Sequence, residues 1–333
     1  MKITRYAALA LLAGGVALAG PLVGSAKAQE KMRVSHQLPP AHHIGKLVES
    51  WAADIEKRSG GKIDVEVLGS AQAFKPNQNH PAVARGQVEA AMAVNFQWGN
   101  TIPEMNVVTI PYFMTDLARI KKFPGSEAAK LLEAKLLEKG VRNVAWLYTT
   151  RQSIFTSSGK PLVKLDDFQG VKIRGLNKLV DAGLVAAGAA PASMPGSEVY
   201  QALQTKVIDA GLTDVSAAYS RKYFEVQEFG TVAPFFTVYF HIYVNPDWFG
   251  KLAPDLQKAV LEASAQAEQE SIGITEKTAE ESIAKLKEKG MKLHIQSAEE
   301  VKTFTATMQP PVMEAFKASS PDAGKLIDLV NKL

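Results

Sequence analysis

From Met32 onward the chain alternates between two hydrophobic periods. Met32 to Ser35 is a short apolar run that predicts a strand. Ile44 to Arg58 carries apolar residues at helical spacing and stops at Gly60-Gly61, because glycine enters the left-handed backbone region that ends a helix. Ile63, Val65 and Val67 alternate with Asp64 and Glu66, the pattern of a half-buried strand. Another helix closes at Val83 to Gly86, ahead of the apolar strand Ala90 to Val94. This β-α-β-α-β order predicts a parallel sheet covered by helices.

A helical stretch from Leu117 to Lys139, stopped by Gly140, leads into a strand at Val144 to Tyr148. The same order then restarts. Arg151 to Thr156 and Val171 to Ile173 read as strands, Asn177 to Ala187 and Glu198 to Gln204 as helices, and Val207 to Leu212 as a strand. Two similar α/β units meeting near Thr150 predict two lobes with a cleft between them. Arg174 stands at the end of the strand Val171 to Ile173, the edge at which open α/β sheets bind ligands. Its planar guanidinium offers paired donors that match a carboxylate. Pro254 opens a helix rich in Ala, Glu, Gln and Lys that reaches Lys289, with Gly290 as its stop. At 1.5 Å per residue it spans about 50 Å, longer than one small lobe, so it is expected to bridge both, with Gly273 as the point for a bend.

The N-terminus changes the reading of compartment and charge. Lys2 and Arg5 precede the apolar run Tyr6 to Ala19, and Ala26-Lys27-Ala28 supplies a cleavage site, so residues 1–28 are expected to be a signal peptide. Glycines and Pro21 interrupt a run already short for a bilayer span. The formal charge of +4 loses Lys2, Arg5 and Lys27 with that segment, and the near-neutral remainder argues against a nucleic-acid partner. The chain has no cysteine, which excludes disulfides, thiolate metal sites, a cysteine nucleophile and an acylated anchor.

Enzyme chemistry finds no scaffold in the mature chain, which lacks GxSxG, GxGxxG and GxxxxGK[ST], so no cofactor is expected. His36, His42 and His43 are close in sequence but have no metal-binding spacing. They are expected to cap the first helix or line the cleft mouth, while His80, His241 and His294 pack. The aromatics between Tyr219 and Trp248 read mostly as core, with one or two left to line the cleft.

Six blocks in a fixed order carry a resemblance: SGGKIDVEVLGSAQ (Ser59 to Gln72), ARGQVEAAM (Ala84 to Met92), IPYF (Ile110 to Phe113), LDDFQGVKIR (Leu165 to Arg174), SEVYQALQTKVIDAG (Ser197 to Gly211) and NPDWFGKLAPDLQKAV (Asn245 to Val260). The chain resembles the extracytoplasmic solute-binding proteins of tripartite ATP-independent periplasmic (TRAP) transporters, of the DctP type. The resemblance implies an α/β, two-lobed, periplasmic-binding-protein-like fold of type II, with hinge strands and a long lobe-bridging helix. Lobe I would comprise residues 29–149 with about 237–275, and lobe II residues 150–236 with about 276–333.

By motif, Arg174 matches the arginine that pairs with a ligand carboxylate, and Arg151 a second basic contact, although Arg151 could equally pin the hinge by pairing with an acid. Gln37 and Asn95 fall where lobe I supplies polar contacts. Gly196, Thr213 and Phe235 depart from the sialic-acid-binding branch, which has an aromatic, an amide and a polar side chain there. Those departures imply a roomier, less polar pocket, and hence a monocarboxylate with an apolar or aromatic body. The implied role is a periplasmic, monomeric receptor that delivers an organic acid to the small and large TRAP permease subunits without ATP. The alternatives are a C4-dicarboxylate or keto-acid receptor, a ligand sensor for a signalling partner, and an isomerase or lyase, which would turn its acid over rather than return it.

Overall fold

In a computed structural model that describes residues 29–333, the first apolar runs become β1 (Glu30–Ser35), α1 (His43–Arg58), β2 (Ile63–Leu68), α2 (Asn79–Ala84) and β3 (Ala90–Val94). The expected signal peptide lies outside the described residues. β1 pairs in parallel with both β2 and β3, as helical crossovers require. α1 starts where His42 Nδ1 accepts the Ile44 N–H at 3.2 Å, and it buries Ile44, Leu47, Val48, Trp51 and Ile55 at helical spacing. The helix expected over 117–139 is two: α3 (Leu117–Lys122) and α4 (Glu127–Glu138). Pro124 and Gly125, the latter at φ 74°, end the first, and Ser126 caps the second by accepting the Ala129 N–H.

The chain continues as β4 (Arg142–Thr150), β5 (Ser153–Ser157), β6 (Lys172–Gly175), α5 (Lys178–Ala186), β7 (Ala190–Ser193), α6 (Val199–Gln204), β8 (Ala210–Asp214), α7 (Val215–Ser220), β9 (Phe229–Ala233) and β10 (Val238–Val244). It ends with α8 (Pro246–Lys251), α9 (Pro254–Glu288), β11 (Lys292–Ile295), α10 (Ala298–Ser319) and α11 (Ala323–Asn331). The strands form one sheet ordered β2-β1-β3-β10-β4 and another ordered β11-β9-β5-β8-β6-β7, the two sheets of a two-lobed type II fold.

The chain crosses between lobes at Arg151-Gln152, leaving β4 for β5, and again between β9 and β10. β10 runs antiparallel to β3 and β4, and β5 antiparallel to β8 and β9. Each sheet is therefore mixed, which corrects the parallel expectation: the hinge strands enter from the opposite lobe and meet their neighbours head to tail. Every residue of β10 is buried, so the strand has no polar alternation to betray it.

α9 runs unbroken through Gly273 and packs against α1, β4 and α7, so it touches both lobes. It also satisfies the outer edge of β4. The Trp146 N–H donates to Glu268 Oε1 at 2.6 Å, the Tyr148 N–H to Ser271 Oγ at 3.0 Å, and Thr275 Oγ1 donates to the Tyr148 carbonyl at 2.7 Å. Side chains thus take the place of a further strand, and buried backbone groups keep their partners. α10 packs on α5 of lobe II, but α11 returns to lobe I. There Leu326, Ile327 and Val330 join Leu132 and Leu136 in one core, and Lys135 bridges Glu104 at 2.9 Å and Asp322 at 2.7 Å. The C-terminal stretch is consequently divided between the lobes, rather than belonging to lobe II from about 276 onward.

Burial pushes the Glu268 carboxyl up to about 7 against the opposing Trp146 hydrogen bond. Its folded-state value lies above the unfolded one, so the folded protein binds the extra proton. Its contribution is fully present below about 4.5 and lost as pH rises through about 7. Glu268→Gln keeps the acceptor without the charge. Thermal unfolding should show it melting above the wild type at pH 8, with the difference closing towards pH 4.5.

Candidate ligand-binding site

Where the lobes meet, a cavity of about 30 Å³ draws on both. Lobe I contributes Gln37, His42, Val94 and Phe96; lobe II contributes Arg174, Gly196, Thr213, Asp214 and Arg221; Phe236, Val238 and Phe240 close it from the hinge side. The lobes are held together on either side of it. Asn177, the cap of α5, donates to the Phe96 carbonyl at 3.0 Å and to Asn106 Oδ1 at 2.7 Å. On the other side, Ser216 of α7 meets His43 Nδ1 of α1 at 3.1 Å.

Arg174 belongs to β6 and is 3% exposed. Its Nη1 donates to the Leu212 carbonyl at 2.7 Å, while Nε and Nη2 share the Met194 carbonyl at 3.3 Å. All these partners are neutral backbone oxygens. One N–H on each terminal nitrogen is left over among the described residues, the pair a carboxylate would use. Burial lowers the guanidinium to about 10, with Arg221 adding to the effect and Tyr223, Asp214 and Asp181 opposing it. Arg174 is still a cation at neutral pH. The Phe96 ring lies 5.8 Å from its central carbon, a cation–π contact reaching across from lobe I.

Two more polar groups of the cavity have atoms without a protein partner. Gln37 Oε1 and His42 Nε2 are both buried and unpaired among the described residues. His42 Nδ1 already accepts from the backbone, so its proton sits on Nε2, a free donor. Burial holds the ring well below its ordinary value, helped by His43, Arg221 and His36, and His42 is neutral. Asp214 carries the opposite charge to the arginines. Its Oδ1 accepts from Ser216 Oγ at 2.5 Å and from the Ala217 N–H at 2.8 Å, as the cap of α7.

The cavity brings together Arg174, Gln37, Thr213 and Gly196 from the residues singled out by sequence. Three others are placed elsewhere. Arg151 pairs with Glu276 of α9, its Nη2 at 2.7 Å from Oε2, and Tyr148 donates to the same carboxylate at 2.7 Å. It pins the hinge to the long helix, beside a separate hollow with Gln152 and Gln296. Asn95 spends both ends of its amide on the fold, donating to the Met105 carbonyl at 2.8 Å and accepting the Tyr239 N–H at 3.2 Å. Phe235 is 0% exposed, packed edge-on against Tyr112, Phe155 and Phe236, and it is Phe236, one residue on, that faces the cavity.

The expectation of extra room at Gly196 is corrected too. A Cβ there would lie 2.4 Å from Arg221 Nη1, so the guanidinium fills that space. Arg221, Asp214 and Phe236 were missed because each is unremarkable in sequence: one follows a short helix, one caps it, and one is an aromatic among many. Among the described residues no group of His, Asp and Glu could hold a metal ion, and no helix is long and apolar enough to cross a membrane.

Residues 34–319 match the family model described as DctP, bacterial extracellular solute-binding protein, family 7. The chain is 29% identical to the C4-dicarboxylate-binding periplasmic protein DctP of Rhodobacter capsulatus, over 91% of this chain and 89% of that protein. A TRAP periplasmic solute-binding protein from Desulfovibrio salexigens, with bound orotic acid, superposes with a TM-score of 0.86 at 20% identity, covering 91% of this chain and 98% of the other. A Bordetella pertussis extracytoplasmic solute receptor binding pyroglutamic acid superposes with a TM-score of 0.82 at 23% identity, covering 90% and 99%. Those two likenesses establish the shared fold, and the family match, running from β1 to the end of α10, carries the assignment: the chain belongs to the DctP family of bacterial extracellular solute-binding proteins.

Proposed function

We propose that this protein is a periplasmic receptor that captures a monocarboxylate with an apolar body between its lobes and delivers it to the membrane subunits of a TRAP-type transporter. The observation that carries this reading is Arg174, a buried guanidinium whose hydrogen bonds all end on backbone carbonyls. A buried cation is costly unless an anion compensates it, so a ligand carboxylate would be held strongly there. Charge supports a single carboxylate. Among the side chains that line the cavity, Arg174 and Arg221 are positive, Asp214 negative and His42 neutral, which leaves one positive charge in the wall for the ligand to balance.

The remaining wall supports an apolar body. Phe96, Phe236, Phe240, Val94 and Val238 offer rings and methyl groups, beside an acceptor from Gln37, a donor from His42 and the Thr213 side chain. Relatives of the same fold with orotic and pyroglutamic acid are compatible with a single acid group on the ligand, since each acid joins one carboxylate to a ring. Both lobes contribute to the cavity, so an acid that bridges them would favour their closed arrangement through its differential affinity. The bridging contacts of Asn177 and Ser216 would add to that preference.

A thermal-shift screen over dicarboxylates, sugar acids, branched-chain acids and ring monocarboxylates should raise the melting temperature most with the last two. A larger shift with succinate or a sugar acid, and none with the apolar monocarboxylates, would overturn the ligand class. For any acid that binds, Arg174→Lys should weaken calorimetric affinity by about 100-fold, because an ammonium loses the paired geometry and about 3 kcal/mol of charge-assisted hydrogen bonding. An unchanged affinity would remove Arg174 from the site.

A further inference from the structure

Arg221 is the second guanidinium in the cavity wall, and it has room there because residue 196 has no side chain. A Cβ at Gly196 would stand 2.4 Å from Arg221 Nη1, closer than real Cβ atoms come, and a tight 3.0 Å from its Cζ. The atoms that would have to yield are the far end of a flexible side chain, so any larger residue at 196 would push the guanidinium aside and leave the backbone standing. Position 196 therefore controls whether the second guanidinium reaches the cavity.

What Arg221 could read there follows from the neighbouring charges. Arg174 keeps a free N–H on each terminal nitrogen, enough to take one carboxylate by itself. Asp214 offsets one of the two arginines, so a second ligand carboxylate would carry the cavity past neutrality. The donors of Arg221 that do not meet Tyr223 are then left for an uncharged oxygen on the ligand. Tyr223, fully buried, meets the Arg221 guanidinium through its hydroxyl and lies near Arg174, without supplying a carboxylate.

We propose that Gly196 and Arg221 form one specificity element: the missing side chain at 196 admits the Arg221 guanidinium, which binds an uncharged oxygen acceptor close to the ligand carboxylate. The substrate class is thereby narrowed to monocarboxylates with an apolar body that bear a carbonyl or hydroxyl near the acid group. This rests on the reading of the cavity as a monocarboxylate site.

The test is calorimetry on the mature protein with matched acids that differ only in the acceptor group: 3-methyl-2-oxobutanoate against 3-methylbutanoate, and 1-hydroxycyclopentanecarboxylate against cyclopentanecarboxylate. At least one oxygenated acid should bind the wild type about 10-fold or more tighter than its partner, the worth of one good hydrogen bond to a charged group. Arg221→Gln should bring that ratio close to one while both acids still depend on Arg174. Gly196→Ala should do the same, and the double variant should be no worse than either single one, because both remove the same contact. A ratio unchanged in Arg221→Gln, or additive losses in the double variant, would overturn the pairing and leave the monocarboxylate reading standing. Failure of all four acids to bind the wild type would instead bring down that reading, and this inference with it. Circular dichroism at the assay temperature separates either outcome from misfolding.

Discussion

A guanidinium buried without an acidic partner is the constraint around which the cavity is arranged. Arg174 is at the end of β6, held by the carbonyls of Leu212 and Met194 and faced by the Phe96 ring from the other lobe. Backbone carbonyls orient the cation but do not neutralise it, and desolvation lowers its proton affinity to about 10 without discharging it. The protein carries an electrostatic cost at this point that a carboxylate would relieve. Binding strength in such a site comes from correcting that cost as much as from new contacts.

The rest of the architecture keeps the cation where both lobes can reach it. The hinge consists of the two chain crossings, and α9 spans both lobes while its side chains occupy the edge of β4. Arg151 ties the first crossing to that helix through Glu276. That ion pair fixes the geometry of the hinge, while Arg221 of lobe II supplies the second guanidinium of the cavity wall. Polar contacts on each side, Asn177 with Asn106 and Ser216 with His43, hold the lobes at a separation that brings Phe96 to Arg174.

Much of this was legible before any coordinates. The restart of the α/β order near Thr150 placed Arg174 in a second lobe, and the strand at Ala90 to Val94 and the helix from Pro254 were readable almost to their ends, because strong periodicity and glycine or proline stops mark them. β10 was not read as an element of its own, because its rings merge with the other aromatics between Tyr219 and Trp248 that read as core. Helix 117–139 was misread as one piece because its Pro124-Gly125 break is short beside the long helical signals around it. Phe235 and Phe236 differ by a single position, and the pleat alone decides which of two adjacent rings turns to the cavity.

The sequence by itself determined the two-unit organisation, the family, and the presence of an arginine at a strand end of the second unit, because those follow from local periodicity and ordered motifs. Tertiary structure alone decided which polar residues remain free. Asn95 and Arg151 are spent on carbonyls, amides and Glu276, partners 10 to 144 residues away in sequence, whereas Gln37 and His42 keep unpaired atoms. It also decided that the room at Gly196 belongs to Arg221, 25 positions along the chain. Such facts are pairings between distant side chains competing for the same space and the same hydrogen bonds, and no residue carries that competition in its own identity.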